Sequence, residues 1–135
     1  MVDLLALIAA RETDIIRQWT TEVRALPNGV YDEVDDEMLA AVVRRSHRAL
    51  LRAMQSGDTA RLERRLAEST RQRIEEGVSY ADSVLVWLLY RQVVQQVLGE
   101  QLKNGPAWED FVDRVDPLIT WVTRTIHSAY LQAGR

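Results

Sequence analysis

Apolar residues recur at spacings of three, four or seven along most of the chain, which is the period of a helix with one buried face. This pattern divides the chain into five helical segments separated by turn signals. No stretch alternates between apolar and polar residues with a period of two, so no sheet is expected. The predicted fold class is therefore all-α, with about five helices.

The first helix is predicted from about Asp3 to Ala25. It should end at Leu26-Pro27-Asn28-Gly29, because proline disfavours helical backbone before it and Asn-Gly favours a turn. Asp3 can cap its start. Its apolar positions are Leu4, Ile8, Ile15, Trp19, Val23 and Leu26.

The second helix should be capped by Asp35 or Asp36 and should end at Ser56-Gly57. Asp58 or Thr59 then caps a third helix with only a narrow apolar stripe, which places that helix at the periphery. Its mixed Glu and Arg residues allow ion pairs one turn apart. The apolar face of the second helix consists of Met38, Leu39, Val42, Val43, Ser46, Ala49, Leu50, Ala53 and Met54.

The fourth helix follows Ser79-Tyr80-Ala81-Asp82, which resembles a capping box. Its apolar surface is too broad for a single stripe, so it is predicted to be the central helix. A turn at Asn104-Gly105-Pro106 leads to the fifth helix. Pro117 lies inside that helix and predicts a kink or a break, because an interior proline removes a hydrogen bond at a cost of about 3 kcal/mol.

Composition fits one folded domain covering residues 1–135, with 47% hydrophobic residues and a net charge of −3. The negative charge argues against a general attraction to nucleic acid. Cysteine is absent, which excludes disulfides and thiolate metal sites. The N-terminal apolar run lacks a basic flank, and no window is long enough to span a membrane, so a cytoplasmic protein with no membrane contact is expected.

Histidine offers the only candidate ligand for haem or a transition metal, at His47 and His127. Neither has a partner at a metal-binding spacing, so both are interpreted as surface or boundary residues and no cofactor is expected. The acidic run Asp32 to Glu37 flanks a helix start, where it offsets the helix dipole. With no Ser–His–Asp arrangement and no Gly-rich phosphate loop, the chain is not expected to be an enzyme.

A pocket for a small molecule is the most suggestive candidate site. It would be lined by Trp87, Tyr90 and Arg91 of the central helix together with His47. A cation on a mostly buried helix must find a partner, and a pocket or a protein interface would supply one. The four tryptophans at core spacing are interpreted as packing residues instead: Trp19, Trp87, Trp108 and Trp121.

Arginines make the middle of this acidic chain locally basic. A phosphate-bearing ligand or an acidic partner could use this stripe, although a solvated, salt-bridged face is the commoner explanation. A DNA-binding regulator is a third alternative, which lacks support because no aromatic residues interleave with the basic ones and no helix-turn-helix pattern is evident. The stripe consists of Arg44, Arg45, Arg48, Arg52, Arg61, Arg64, Arg65, Arg71 and Arg73.

Three segments together resemble one protein family. They are Arg17-Gln18-Trp19, the helix end Arg24-Ala25-Leu26-Pro27, and the stretch Arg73-Ile74-Glu75-Glu76-Gly77-Val78-Ser79-Tyr80-Ala81-Asp82-Ser83-Val84-Leu85. With the order and lengths of the five helices, they are similar to the N-terminal domain of the RsbR and RsbRD-type co-antagonist proteins of bacterial stressosomes.

The resemblance implies a globin-like arrangement of helices without haem, or a related bundle, usually dimeric and placed ahead of an effector such as a STAS domain or a kinase. It implies no catalytic residues. The expected function is to sense a signal and relay it to an effector domain or partner by helix repacking, with the part of the fifth helix beyond Pro117 transmitting the change. A haem-binding or small-ligand-binding globin-like sensor is the main alternative.

Overall fold

The fold is helical throughout the part of the chain that the structure, a computed structural model, describes: residues 3–27, 31–103 and 105–134. These residues contain six α-helices and no strand, which confirms the all-α class with one helix more than predicted. They are α1 (Leu4–Ala10), α2 (Glu12–Arg24), α3 (Asp36–Ser56), α4 (Ala60–Glu75), α5 (Tyr80–Leu98), a 3-10 helix (Gly99–Lys103) and α6 (Gly105–Gln132).

The extra helix arises at Arg11, where the predicted first helix is divided into α1 and α2. Arg11 leaves the helical conformation, with φ −105° and ψ 19°. Its guanidinium donates to the Asp14 carboxylate at 2.9 Å and to the carbonyl of Val97, at the distant end of α5, at 3.2 Å. A contact with a residue far along the chain therefore accompanies the bend, and the prediction of one continuous helix was wrong.

Arg24, in the last turn of α2, holds the segment that leads into α3. Its guanidinium donates to the carbonyls of Tyr31 and Val34 and forms an ion pair with Asp36 at 2.7 Å. The predicted turn residues Asn28 and Gly29 lie outside the described residues. The side chain of Arg24 therefore ties the end of α2 to the described residues that precede α3 and to its first residue.

Helix ends match the sequence signals closely in the middle of the chain. Asp35 caps α3 by accepting from the Glu37 amide at 2.7 Å, and Gly57 ends α3 in the left-handed region at φ 74°. Ser79 caps α5 by accepting from the Asp82 amide at 3.1 Å. These predicted boundaries are confirmed, because capping depends on neighbouring residues alone.

Helix α6 runs without interruption through Pro117, so the predicted break is not formed. The proline removes only its own amide donor, and the ring lies on the solvent side of the helix, where its side chain is exposed. The preceding residue, Asp116, is fixed by an ion pair with Arg91 of α5 at 2.5 Å. The ion pair of Asp116 therefore stabilises the helical backbone next to Pro117.

The buried core extends over all six α-helices, and the central place of α5 in it stays a prediction. Helix α5 packs against α1, α2 and α6, and α4 contributes a narrow stripe with Leu62 and Leu66 fully buried. Met38 is the exception on the predicted apolar face of α3, because its side chain is 62% exposed. It lies in the first turn of α3, ahead of the first core position of that helix, Leu39.

Candidate functional site

A buried aromatic cluster surrounds the one histidine of the core. His47 of α3 has no exposed surface, and its Nδ1 lies 3.3 Å from the hydroxyl of Tyr90, which is also fully buried. The Tyr90 ring packs edge-on against Trp19, with ring centroids 4.8 Å apart, and Trp19 in turn contacts Trp87 at 5.8 Å. The interpretation of His47 as a surface or boundary residue was therefore wrong.

His47 is held in its neutral form by this environment. Burial lowers its pKa below the usual 6.5 and Arg48 lowers it further, while the charge of Glu12 acts in the opposite direction. Its Nε2 atom is buried and has no hydrogen-bond partner among the described residues. A haem ligand needs one open side of the imidazole, and burial closes His47 on every side.

Burial acts on the partner of His47 as well. It raises the pKa of the Tyr90 hydroxyl well above its usual value, so both members of the pair are uncharged over the physiological range. The Trp19 indole donates from Nε1 to the Val86 carbonyl at 2.9 Å, which ties α2 to the middle of α5. The hydrogen bonds of this cluster therefore join one helix to another.

The four residues of the predicted pocket fall into three places. His47 and Tyr90 lie in the core, Trp87 borders a small cavity of about 70 Å³, and Arg91 reaches toward α6. The guanidinium of Arg91 pairs with Asp116 and lies over the Phe111 ring, 5.3 Å from its centroid. The partner that Arg91 was expected to need is thus found inside the chain, and a pocket shared by all four residues stays a prediction.

Tyr130 forms a polar anchor that the sequence reading missed. Its hydroxyl donates to the carbonyl of Val78 at 2.7 Å and lies 2.6 Å from the hydroxyl of Ser83. Because its one proton is used on Val78, the Ser83 hydroxyl donates to the Tyr130 oxygen. Both side chains are buried, so the last turns of α6 are fastened to the junction of α4 and α5.

His127 and the acidic run have ordinary surface positions. His127 is exposed and lies beside the Tyr80 ring, with centroids 5.3 Å apart. In the acidic run, Asp35 caps α3 and Asp36 pairs with Arg24, as expected for carboxylates at a helix start. These residues do not converge on a cleft.

Six of the nine arginines of the predicted stripe line a groove between α3 and α4, here called the arginine groove. It has a volume of about 680 Å³, and Glu68 is its one acidic lining residue among those described. Arg65 lines this groove, and the Nε atom of its side chain is buried without a hydrogen-bond partner among the described residues. The cationic lining consists of Arg45, Arg48, Arg52, Arg61, Arg64 and Arg65.

Ion pairs along α4 are fewer than its sequence allows. Among the described residues, the one pair formed by this helix joins Arg73 to Glu76, at its C-terminal end, at 3.2 Å. Arg61, Arg64 and Arg65 have no carboxylate within 4 Å in that part of the chain. The interpretation of the stripe as a salt-bridged face therefore fails for the arginines on α4 that line the groove.

Within residues 3–27, 31–103 and 105–134, no group of three or more histidine, aspartate or glutamate side chains is arranged to hold a metal ion. None of the helices described combines the length and apolar character that crossing a bilayer requires.

Comparison with known proteins gives one match. A family described as the RsbT co-antagonist protein rsbRD N-terminal domain matches residues 13–135. No curated protein and no solved structure matched the chain. The matched range includes α2 from its second residue and all of α3 to α6, and hence the aromatic cluster, the Tyr130 anchor and the arginine groove.

Proposed function

Because the chain belongs to the RsbRD N-terminal domain family, we propose that it is a non-catalytic sensor or interaction module of the stressosome co-antagonist type. It passes a signal to an effector domain or partner by a change in helix packing. The family description names RsbT, so a complex that regulates RsbT is the proposed destination of the signal.

The observation that carries this proposal is the Tyr130 anchor. Helix α6 is 28 residues long, and its C-terminal end is fastened through Tyr130 to the start of α5 at Val78 and Ser83. A ligand or partner that displaces the start of α5 must therefore move the end of α6 or break these two hydrogen bonds. Such a pair of alternative packings is what a relay requires, since a signal acts only through a difference between two states.

Several broader features belong to the same proposal. The described residues form one connected core, which supports a single domain over residues 1–135. A globin-like packing of the helices, a cytoplasmic location and a homodimer are proposed from the family. An effector of the STAS or kinase type is the proposed recipient, and a small-molecule input remains part of the proposal.

The test joins the chain to a stressosome STAS effector domain and measures the affinity of RsbT for the resulting protein. Tyr130→Phe removes the anchor hydroxyl and leaves the Val78 carbonyl and the Ser83 hydroxyl without it. We expect the affinity for RsbT to change several-fold, and the free energy of unfolding to fall by about 1–3 kcal/mol. Thermal or urea unfolding of the same variant supplies the second value.

Tyr80→Phe is the matched control, since it removes the same atom from a ring that is 38% exposed. Its hydroxyl has no hydrogen bond among the described residues. We expect this variant to behave as the native protein in both measurements. If RsbT binds the native, Tyr130→Phe and Tyr80→Phe proteins with one affinity, the relay through α6 is contradicted.

A further inference from the structure

Unpaired arginines are concentrated in the arginine groove. Elsewhere in the described residues, cations commonly meet carboxylates: Arg11 pairs with Asp14, and Arg24 with Asp36. Within the groove, Arg48 alone has such a partner, Glu12 at 3.0 Å. The other five guanidinium groups have no carboxylate within 4 Å in the ranges that the structure describes.

The spacing of the arginines places them on the face of each helix that borders the groove. On α3, Arg45, Arg48 and Arg52 follow one another at three and four residues, and on α4, Arg61 and Arg65 are four residues apart. Residues three or four apart share one face of a helix. Because α3 and α4 pack against each other, these two faces form opposite walls of one concave surface.

Arg65 is the groove arginine with a buried donor atom. Its Nε donor is buried without a partner among the described residues, and its side chain also borders a neighbouring cavity of about 330 Å³. Burial lowers its pKa, and the nearby charge of Arg45 lowers it further. An anion between these two arginines would relieve their repulsion.

The chemistry of the groove selects among anions. Guanidinium groups bind phosphoryl and carboxylate oxygens through two parallel hydrogen bonds, so several converging arginines favour a ligand with several such groups. Five arginines without a paired carboxylate among the described residues, beside the one lining carboxylate of Glu68, exceed what a single phosphate needs. A volume of about 680 Å³ is in the range of small-molecule sites. The protein as a whole is acidic at −3, so the attraction is local.

We propose that the arginine groove binds a small anion carrying two or more phosphoryl groups, held between α3 and α4 by Arg45, Arg61 and Arg65. The arginine groove is separate from the contacts of the proposed relay. It adds to that proposal the class of ligand to which the relay would respond. Binding can be measured whether or not the domain controls RsbT, so the two proposals fail separately.

The experiment is calorimetric titration of the purified protein with sodium tripolyphosphate, at low and at physiological salt. We expect one tripolyphosphate per chain and binding that weakens as salt increases. Arg65→Gln should weaken it about tenfold or more, because a charge-assisted hydrogen bond is lost. Arg61→Gln, at an exposed position where folding is not at risk, should weaken it as well. Arg65→Lys should recover part of the affinity, since it restores the charge without the planar donor pair.

The matched control is Arg124→Gln, which removes one positive charge from an exposed site on α6 that has no ion pair among the described residues. An equal loss of affinity in this variant would overturn the proposal, because attraction would then depend on net charge alone. Inorganic phosphate binding as tightly as tripolyphosphate would overturn the ligand class. Displacement of tripolyphosphate by a lower concentration of random DNA duplex would assign the groove to nucleic acid and overturn the proposal.

A second copy of the chain is the remaining competitor for the groove, because the acidic run Asp32 to Glu37 has complementary charge. Nondenaturing mass spectrometry with and without tripolyphosphate tests this directly. We expect the ligand to add to each chain while the subunit count stays constant. Dissociation of a dimer without added ligand mass would show that the groove holds the partner copy and would overturn the proposal.

Discussion

A buried histidine in the apolar core makes the free energy of unfolding depend on pH. His47 has no exposed surface, and among the described residues its side chain has one polar contact, the hydroxyl of Tyr90. Protonation would place a charge beside aromatic rings, with no carboxylate of the described ranges in contact with it. Burial therefore lowers the pKa of the His47 imidazole in the folded protein, so the unfolded chain takes up this proton more readily than the folded one.

We expect stability to fall as the pH is lowered below 6.5. Above that value, His47 is neutral in both states and contributes no pH dependence. Below it, the unfolded chain binds a proton that the folded chain does not, because burial lowers the folded pKa. The free energy of unfolding should then decrease by up to about 1.4 kcal/mol per pH unit, until the folded pKa is reached. Urea unfolding at pH 7.5, 6.5 and 5.5 measures this decrease.

His47→Gln should remove most of this dependence, because glutamine does not titrate. His127→Gln is the matched control, since that side chain is exposed and should leave the decrease in place. An unchanged decrease in His47→Gln would show that other groups cause it.

At the level of single residues, the sequence predicted burial better than it predicted polar contacts. The helical period placed Leu50, Trp87 and Tyr90 in the core, where the structure also places them. It misplaced His47, because a polar residue on an apolar face has the same pattern whether it is enclosed or at a boundary. Tyr130 was assigned to the core, but its partners Val78 and Ser83 depend on how α6 packs, which one sequence does not specify.

At the level of elements, boundaries set by local chemistry were predictable and those set by distant contacts were not. Asp35, Gly57 and Ser79 mark helix ends through hydrogen bonds or backbone angles within a few residues. The bend at Arg11 accompanies a contact with Val97, 86 residues away. At Pro117 the local preference predicted a break, but α6 is continuous there because neighbouring residues are held by contacts with other helices.

Replacing Pro117 should stabilise the protein. The helix is continuous at this position, so Pro117→Ala restores an amide donor and removes the ring from a helix interior without any rearrangement. Since proline is about 3 kcal/mol less favourable than alanine inside a helix, we expect a gain of roughly 1–3 kcal/mol in the free energy of unfolding. Thermal unfolding measures it directly.

The same variant tests whether Pro117 is the movable part of the relay. Arg124→Ala, on the exposed face of the same helix, serves as a comparison and should change stability little. If Pro117→Ala lowers stability, the helix depends on a distortion at the proline. In the protein joined to a STAS domain, we expect Pro117→Ala to change the affinity for RsbT, and an unchanged affinity would remove Pro117 from the mechanism.

At the level of the whole molecule, the sequence revealed the class of fold and the presence of a basic stripe, but could not show that the stripe becomes a groove. Arg45 and Arg65 are twenty residues apart in sequence, and the packing of α3 on α4 brings them to one concave surface. The candidate pocket stays a prediction. His47, Trp87 and Tyr90 are buried, whereas Arg91 is directed toward α6, where it pairs with Asp116.

The exposed apolar side chains lead to the last prediction, which concerns subunit number. Leu88 of α5 and Trp108 and Val112 of α6 are 44%, 38% and 37% exposed, on two helices that pack against each other. Burying apolar side chains of this kind is a principal source of the free energy that holds subunits together. We therefore expect nondenaturing mass spectrometry to show a species of twice the chain mass of 15.5 kDa, with an absorption spectrum that lacks a Soret band. A monomer over the whole accessible concentration range would contradict the proposed homodimer. A Soret band would contradict the proposed haemless sensor. It would also require the core around His47 to open, because the His47 imidazole has no exposed surface in this structure.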